Sequence, residues 1–182
     1  MQSKLQGEKN IKATFKPSVI LRPSLIFGPG DKFFNTFASL AQFCPVLPLI
    51  GGGKTKFAPI YVGNVAKAIV KALELNNSEP KIYELGGPEN YSFKELMEIL
   101  LIEIKKKRFL ISIPFAAAKL QSYFLQMLPN PLLTPDQVDM LKYNNIVSGD
   151  HLTLKDLGIT GTTIQRILPK YIYRFRAGGQ FG

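Results

Sequence analysis

The chain has 182 residues, 46% of them hydrophobic and 20% charged; a chain of that size can bury roughly 70% of its unfolded surface in one core, and the balance excludes intrinsic disorder. One cysteine, Cys44, and one histidine, His151, exclude an internal disulfide framework and leave too few soft ligands for an ordinary structural zinc site, so a reducing cytoplasmic setting without a metal is expected. The net charge of +10 calls for a polyanionic neighbour, and the lack of an apolar run of about 18 residues argues against a membrane span.

The opening QSKLQGEKN is helix-compatible but carries neither a capping residue nor the basic, apolar and small-residue order of a signal peptide. Residues 18–27, SVILRPSLIF, form a short β-branched run delivered into the Gly28-Pro29-Gly30-Asp31 turn and predict a buried strand. Asp31 then precedes a helix with Phe34, Phe37, Ala38 and Ala41 at helical spacing, ended by Pro45. The stretch VLPLIGGGKTKFAPIYV sets a triple glycine between two extended pieces, which predicts a loop or a hairpin. Asn64 is expected to cap a helix whose Val65, Ala68, Ile69, Ala72 and Leu73 make one apolar stripe, stopped by Asn76-Asn77.

Lys81 to Leu85 predicts another strand, closed by Gly86-Gly87-Pro88, and Ser92 with Glu95 predicts a capping box on the next helix. Beyond Lys105-Lys106-Lys107-Arg108 the pattern turns helical. A segment from Pro114 ends at Pro129-Asn130-Pro131; Thr134, Pro135 and Gln137 start a second helix; Thr162 or Thr163 caps a last one interrupted by Pro169. Alternating strands and helices imply an α/β layer arrangement, read as a single unit over 1–182, with residues 1–104 carrying the layered part and 105–182 a helical, basic region.

Few residues suggest chemistry. GGGKT lacks the P-loop spacing, because Pro48 stands where its first glycine belongs, and no G-x-G-x-x-G occurs. Cys44 reads as a packed thiol and His151 as a solvated loop residue, so no nucleophile and base pair can be assembled. The clusters KKKR and KYIYRFR could meet anionic lipid or an acidic protein; without a nucleic-acid motif, those partners are favoured over nucleic acid.

The stretches ILRPSLIFGPGDKFFNTFASLAQ, PLIGGGKTKFAPIYVGNVAKAI and YELGGPENYSFKEL, in that order, resemble the C-terminal half of extended or atypical short-chain dehydrogenases/reductases. Among these, the chain is most similar to the NAD(P)-binding accessory subunits of respiratory complex I, the NADH:ubiquinone oxidoreductase, and their bacterial relatives. The likeness is strongest up to about Leu100. It implies the C-terminal part of a Rossmann-type doubly wound α/β fold with a more helical second half.

The resemblance also implies a site. In the family, a Tyr-x-x-x-Lys pair on the helix before this strand serves the nicotinamide ribose and acid–base catalysis. Lys4 matches the lysine, and the tyrosine would fall immediately before Met1, so the resemblance implies a segment that starts after that tyrosine and lacks the glycine-loop half. Pro23, Ser24 and Leu25 match the strand end that passes beside the nicotinamide. Leu25 replaces the asparagine by which epimerases hold a sugar diphosphate, and Asn64 replaces an aspartate; packing is the expected role of both.

Two functions follow. The first is a segment of an NAD(P)-binding, complex I-like protein that takes NAD or NADP only when completed by an N-terminal half, its partners being that half and respiratory-chain proteins. The alternative is a basic, non-catalytic docking module for an anionic membrane surface or acidic partner at the inner membrane face, or a decaying gene fragment. In either case the isolated chain is expected not to turn over a substrate.

Overall fold

The computed structural model describes residues 2–75, 79–127 and 133–180. The helix stops expected at Asn76-Asn77 and at Pro129-Asn130-Pro131, and Met1, lie outside the described residues.

Helix α1 (Gln2–Thr14) leads into β1 (Val19–Pro23), which pairs in parallel with β6 (Lys81–Leu85). The expected single strand over 18–27 is therefore two. After a break at Ser24-Leu25 the chain resumes as β2 (Ile26–Phe27), which pairs with β5 (Ile60–Tyr61) instead. Helix α3 (Val62–Leu73) covers one face of the β1–β6 pair, its Ala68 buried with Tyr83 and Leu85 while Val19 and Leu21 pack beside them. Side chains alternate across a strand, so Arg22 points to the opposite face. There its guanidinium grips Glu8 of α1, with Nε 3.0 Å and Nη2 2.5 Å from the two carboxylate oxygens. The pair is thus sandwiched between helices, the layering of a Rossmann-type α/β fold.

The largest core lies next to it. Helix α2 (Lys32–Phe43) is capped by Asp31, which accepts the Phe34 N–H at 2.6 Å, and it packs on α4 (Phe93–Glu103), whose Ser92–Glu95 capping box is formed as expected. Phe27, Phe34, Phe57, Phe93, Leu96 and Leu100 are buried together, each worth about 1.5–3 kcal/mol of burial. Phe33 stands edge-on to Phe34, Phe37 and Phe93 with centroids 5.1–5.8 Å apart. The chain's end closes this core. After α7 (Ile164–Ile167), α8 (Pro169–Ile172) buries Tyr171 and Ile172, and Phe175 follows them inside.

The triple glycine is a loop and not a hairpin. Gly51, Gly52 and Gly53 all have φ between 61° and 71°, a left-handed curl that only glycine adopts in succession. The pieces on either side diverge. β3 (Val46–Ile50) pairs in parallel with β8 (Phe109–Ile113), and β4 (Lys56–Phe57) pairs antiparallel with β7 (Tyr91–Ser92). β8 is a strand that the reading of residues 105–182 as a helical, basic region did not include; its exposed Phe109 and Ile111 gave it no clean alternation to read. Helices α5 (Phe115–Leu125) and α6 (Pro135–Met140) then bury Ala118 and Val138 against Ile50.

Two further expectations change. Helix α3 starts at Val62, before Asn64, so Asn64 is not its cap; it is buried in the first turn. The expected stripe is only half used, because Val65 and Ala68 pack inward whereas Ile69 is 48% and Leu73 82% exposed.

Candidate functional site

The carboxyl ends of β1 and β6 and the segment between α6 and residue 149 converge. Ser24 continues the β1–β6 ladder with its N–H on the Leu85 carbonyl at 2.9 Å. Its hydroxyl donates to the Asn145 carbonyl at 2.5 Å and accepts the Ala58 N–H at 3.1 Å. Asn145 also donates its N–H to the Lys56 carbonyl at 2.8 Å, and the Ser148 N–H reaches Glu84 of β6 at 2.6 Å. Residues 144–148 therefore cross over both strand ends, and Ser24 is the post on which they rest. Beyond β6, Gly87 packs tightly against Ala58-Pro59. Its N–H meets the Ala58 carbonyl at 3.0 Å, and a Cβ there would sit 1.9 Å from the Pro59 carbonyl oxygen.

Of the four residues singled out in the sequence, Pro23 and Ser24 lie side by side at this end of β1, Pro23 exposed and Ser24 half-buried. Leu25 turns its side chain into the main core and offers no polar group, while its carbonyl accepts the Ile60 N–H at 2.8 Å. Lys4 is exposed in α1 and, among the described residues, engages no carboxylate. It lies four residues before Glu8, about 6 Å along the same helix face. Glu8 is fixed to Arg22, the residue before Pro23, so this turn carries Lys4 along α1 on the face anchored beside the end of β1. The Arg22 hydrogen bond, above all, holds the Glu8 carboxyl below its ordinary pKa, and the same bond raises that of Arg22.

Sequence reasoning missed the residues that build this frame. Glu8 and Arg22 fix the helix, and Asn145 fixes the crossing; Asn64, expected as a cap, instead fixes a third loop, donating to the Thr160 carbonyl at 3.0 Å and accepting the Thr162 N–H at 3.2 Å. A charged Arg22 inside an otherwise apolar strand was the one legible signal. Each of the two basic clusters is partly engaged within the chain. Lys106 donates to Gln42, Arg108 to the Ala41 carbonyl at 2.8 Å, and Arg176 pairs with Glu103 at 2.9 Å. Among the described residues no helix is long and apolar enough to cross a membrane, and no group of three potential metal ligands occurs.

The 3-beta hydroxysteroid dehydrogenase/isomerase family matches residues 7–91. The mitochondrial NADH dehydrogenase [ubiquinone] 1 alpha subcomplex subunit 9 of Arabidopsis thaliana is 32% identical over 98% of this chain and 47% of its own length. The protein of the same name from Dictyostelium discoideum is 28% identical over 99% of this chain and 51% of its own. The chain thus spans about half the length of the curated relatives it matches. In structure it is similar to the dTDP-glucose 4,6-dehydratase of Bacillus anthracis solved with NAD, at a TM-score of 0.63 and 15% identity, covering 93% of this chain and 48% of that one. The relatives match almost the whole chain, so the likeness continues well past Leu100.

Proposed function

We propose that this chain, whose residues 7–91 match the 3-beta hydroxysteroid dehydrogenase/isomerase family, forms the nicotinamide-side part of an NAD(P)-binding subunit associated with the NADH:ubiquinone oxidoreductase. The observation that carries this reading is the anchored helix α1. Glu8 and Arg22 fix its face to β1, and Lys4 is left uncommitted one turn away. In open α/β sheets ligands bind outside the carboxyl ends of the strands.

Each residue then has a defined task. The Lys4 ammonium donates to the ribose hydroxyls of the nicotinamide nucleotide. Ser24 has both its hydroxyl proton and its accepting oxygen engaged by protein, so it shapes the strand end and does not move a proton. Leu25 supplies apolar packing. The dinucleotide would contribute hydride chemistry, but among the described residues no side chain at the strand end is placed as acid or base, and the part is structural or regulatory, not catalytic. The engagement of Lys106, Arg108 and Arg176 within the fold favours this reading over a free basic docking module.

The test is made in membranes of the source cell. After mild detergent extraction and native electrophoresis, the chain should migrate with NADH:ubiquinone oxidoreductase activity. In that assembly NADH or NADPH should slow amine-reactive labelling of Lys4 roughly tenfold while Lys9 is unchanged. Migration away from the activity, or equal labelling of Lys4 with and without either dinucleotide, overturns the proposal.

A further inference from the structure

We propose that the outward face of α5 is a membrane-docking surface, which seats the chain on a bilayer rich in anionic lipid. This goes beyond the function just proposed and does not depend on it.

Helix α5 is apolar on both sides yet covered on one. Ala118 and Ser122 turn inward, and Ala118 packs with Val138 against Ile50. The opposite side, at spacings of three and four, carries Ala116, Leu120, Tyr123 and Phe124, with Met127 just beyond the helix. Leu120 is 64%, Phe124 69% and Met127 83% exposed. The polar side chains of α5 do not relieve this. Lys119 is engaged by Asp139 at 2.8 Å, and the Ser122 hydroxyl donates to the Lys119 carbonyl at 2.7 Å. A helix that is hydrophobic all round is at rest only when both sides are covered.

The same side of the molecule carries a second apolar area. Side chains alternate along β8, so Phe109 and Ile111 share a face with Ile113. Helices α5 and α6 cover the Ile113 end of that face, where Ile50 and Ile113 join Ala118 and Val138. Phe109 and Ile111 stay exposed, whereas Leu110, on the other face, packs on the main core.

Charge names the occupant. Between residues 104 and 135 the chain carries Lys105, Lys106, Lys107, Arg108 and Lys119 and neither aspartate nor glutamate. The run of four stands at the start of β8, and five extended residues span about 16 Å, so it lies within that reach of the start of α5. Lys106 and Arg108 are turned into the fold, but Lys105 and Lys107 are exposed. The acids of α6 offset them little, because Asp139 is held by both Lys119 and Lys142, which leaves Asp136. An apolar, aromatic face flanked by positive charge is the kind of surface that anionic lipid takes. A protein partner is fixed by hydrogen bonds at set positions; Leu120, Phe124 and Met127 offer none, and hydrocarbon asks for none. A second copy would set the cationic runs against each other. At about 16 Å, α5 is too short to cross a hydrocarbon core of roughly 30 Å, so it lies in the headgroup boundary, where Tyr123 is suited to the edge.

The test uses the whole chain and vesicles of phosphatidylcholine with about one-third phosphatidylglycerol. The chain should float with these at least about tenfold more than with phosphatidylcholine alone, and about 1 M salt should weaken the binding. Leu120→Ser with Phe124→Ser should lower it at least about tenfold, with helix content by circular dichroism unchanged because both side chains are exposed. Leu5→Ser with Leu73→Ser, on the exposed sides of α1 and α3, should leave it unchanged. Lys105→Glu with Lys107→Glu should weaken it about tenfold. In the source cell, a benzoylphenylalanine photo-crosslinker in place of Phe124 should capture lipid. The proposal is overturned by an absence of flotation, by equal flotation on neutral vesicles, or by a Leu120–Phe124 variant that floats as well as the parent. Equal loss in the Leu5–Leu73 variant overturns it too, as does capture at position 124 of protein alone, whether a second copy, a partner or another part of the same polypeptide. Shielding of Lys4 by dinucleotide is read separately and is unaffected by any of these results.

Discussion

The Asn64 carboxamide is bonded at both ends, and that decides what may replace it. An aspartate could still accept the Thr162 N–H, but it would set a second oxygen against the Thr160 carbonyl. Asn64→Asp should cost about 1–3 kcal/mol at pH 7 in urea titration, and the loss should shrink on acidification, when a protonated carboxyl regains a donor. Asp31 and Tyr171 form a second buried contact, the phenol donating to the carboxylate at 2.5 Å. Burial is the main cause that holds the Asp31 carboxyl above its ordinary value, and burial followed by the Asp31 bond pushes the phenol far up. A carboxyl raised in the folded state favours folding most below its unfolded pKa, and this contribution is lost as pH rises through the folded value. Tyr171→Phe removes a donor that matters most to the ionised form. It should therefore destabilise by about 1–3 kcal/mol, more at pH 7 than at pH 4. Glu8 carries the opposite sign. Its lowered pKa means that the α1 anchor is strong above the ordinary carboxylate range and fails as pH falls through the folded value, a slope that Glu8→Gln should remove.

Among the elements, the crossing of residues 86–88 beneath Ala58-Pro59 is the tightest approach. Gly87→Ala should cost about 3 kcal/mol, because the added methyl meets backbone and not a side chain that can turn aside; thermal unfolding measures it. Elements fixed by their own local chemistry were legible in the sequence. Asp31 before α2, Ser92 with Glu95 and Thr134 with Gln137 all bond as their spacing requires. Elements fixed by distant partners were not. β8 exists because β3 offers it a ladder, and the strand from residue 18 breaks at Ser24 because its second piece finds β5; neither pairing has a local signature. Asn64 resembles a cap in sequence, yet α3 begins earlier and the amide serves a loop nearly a hundred residues away. Lys4, Pro23, Ser24 and Leu25 were reached through the family's order of motifs, since no pattern of charge or spacing marks them; the frame around them depends on contacts that only the fold assembles.

At the scale of the whole molecule, the layers on the two sides of the structure differ in completeness. The core of α2, α4 and residues 164–175 is closed, whereas on the β1–β6 side, among the described residues, no strand pairs with the outer edge of β1 and two helices expose apolar residues. The isolated chain should therefore expose a dye-binding apolar surface, with 8-anilinonaphthalene sulfonate fluorescence that falls when Leu5, Ile11, Ile69 and Leu73 are replaced by serine. A dark, monodisperse chain at all concentrations would contradict this. The closed side imposes a different condition, on synthesis. Phe27 and Phe34 leave the ribosome well over a hundred residues before Tyr171, Ile172 and Phe175, which pack in the same core. No length that stops short of Tyr171 can finish that core, so the nascent chain must carry its aromatic residues unprotected across that whole interval, and a premature stop before residue 171 would leave quality control a protein open at its centre.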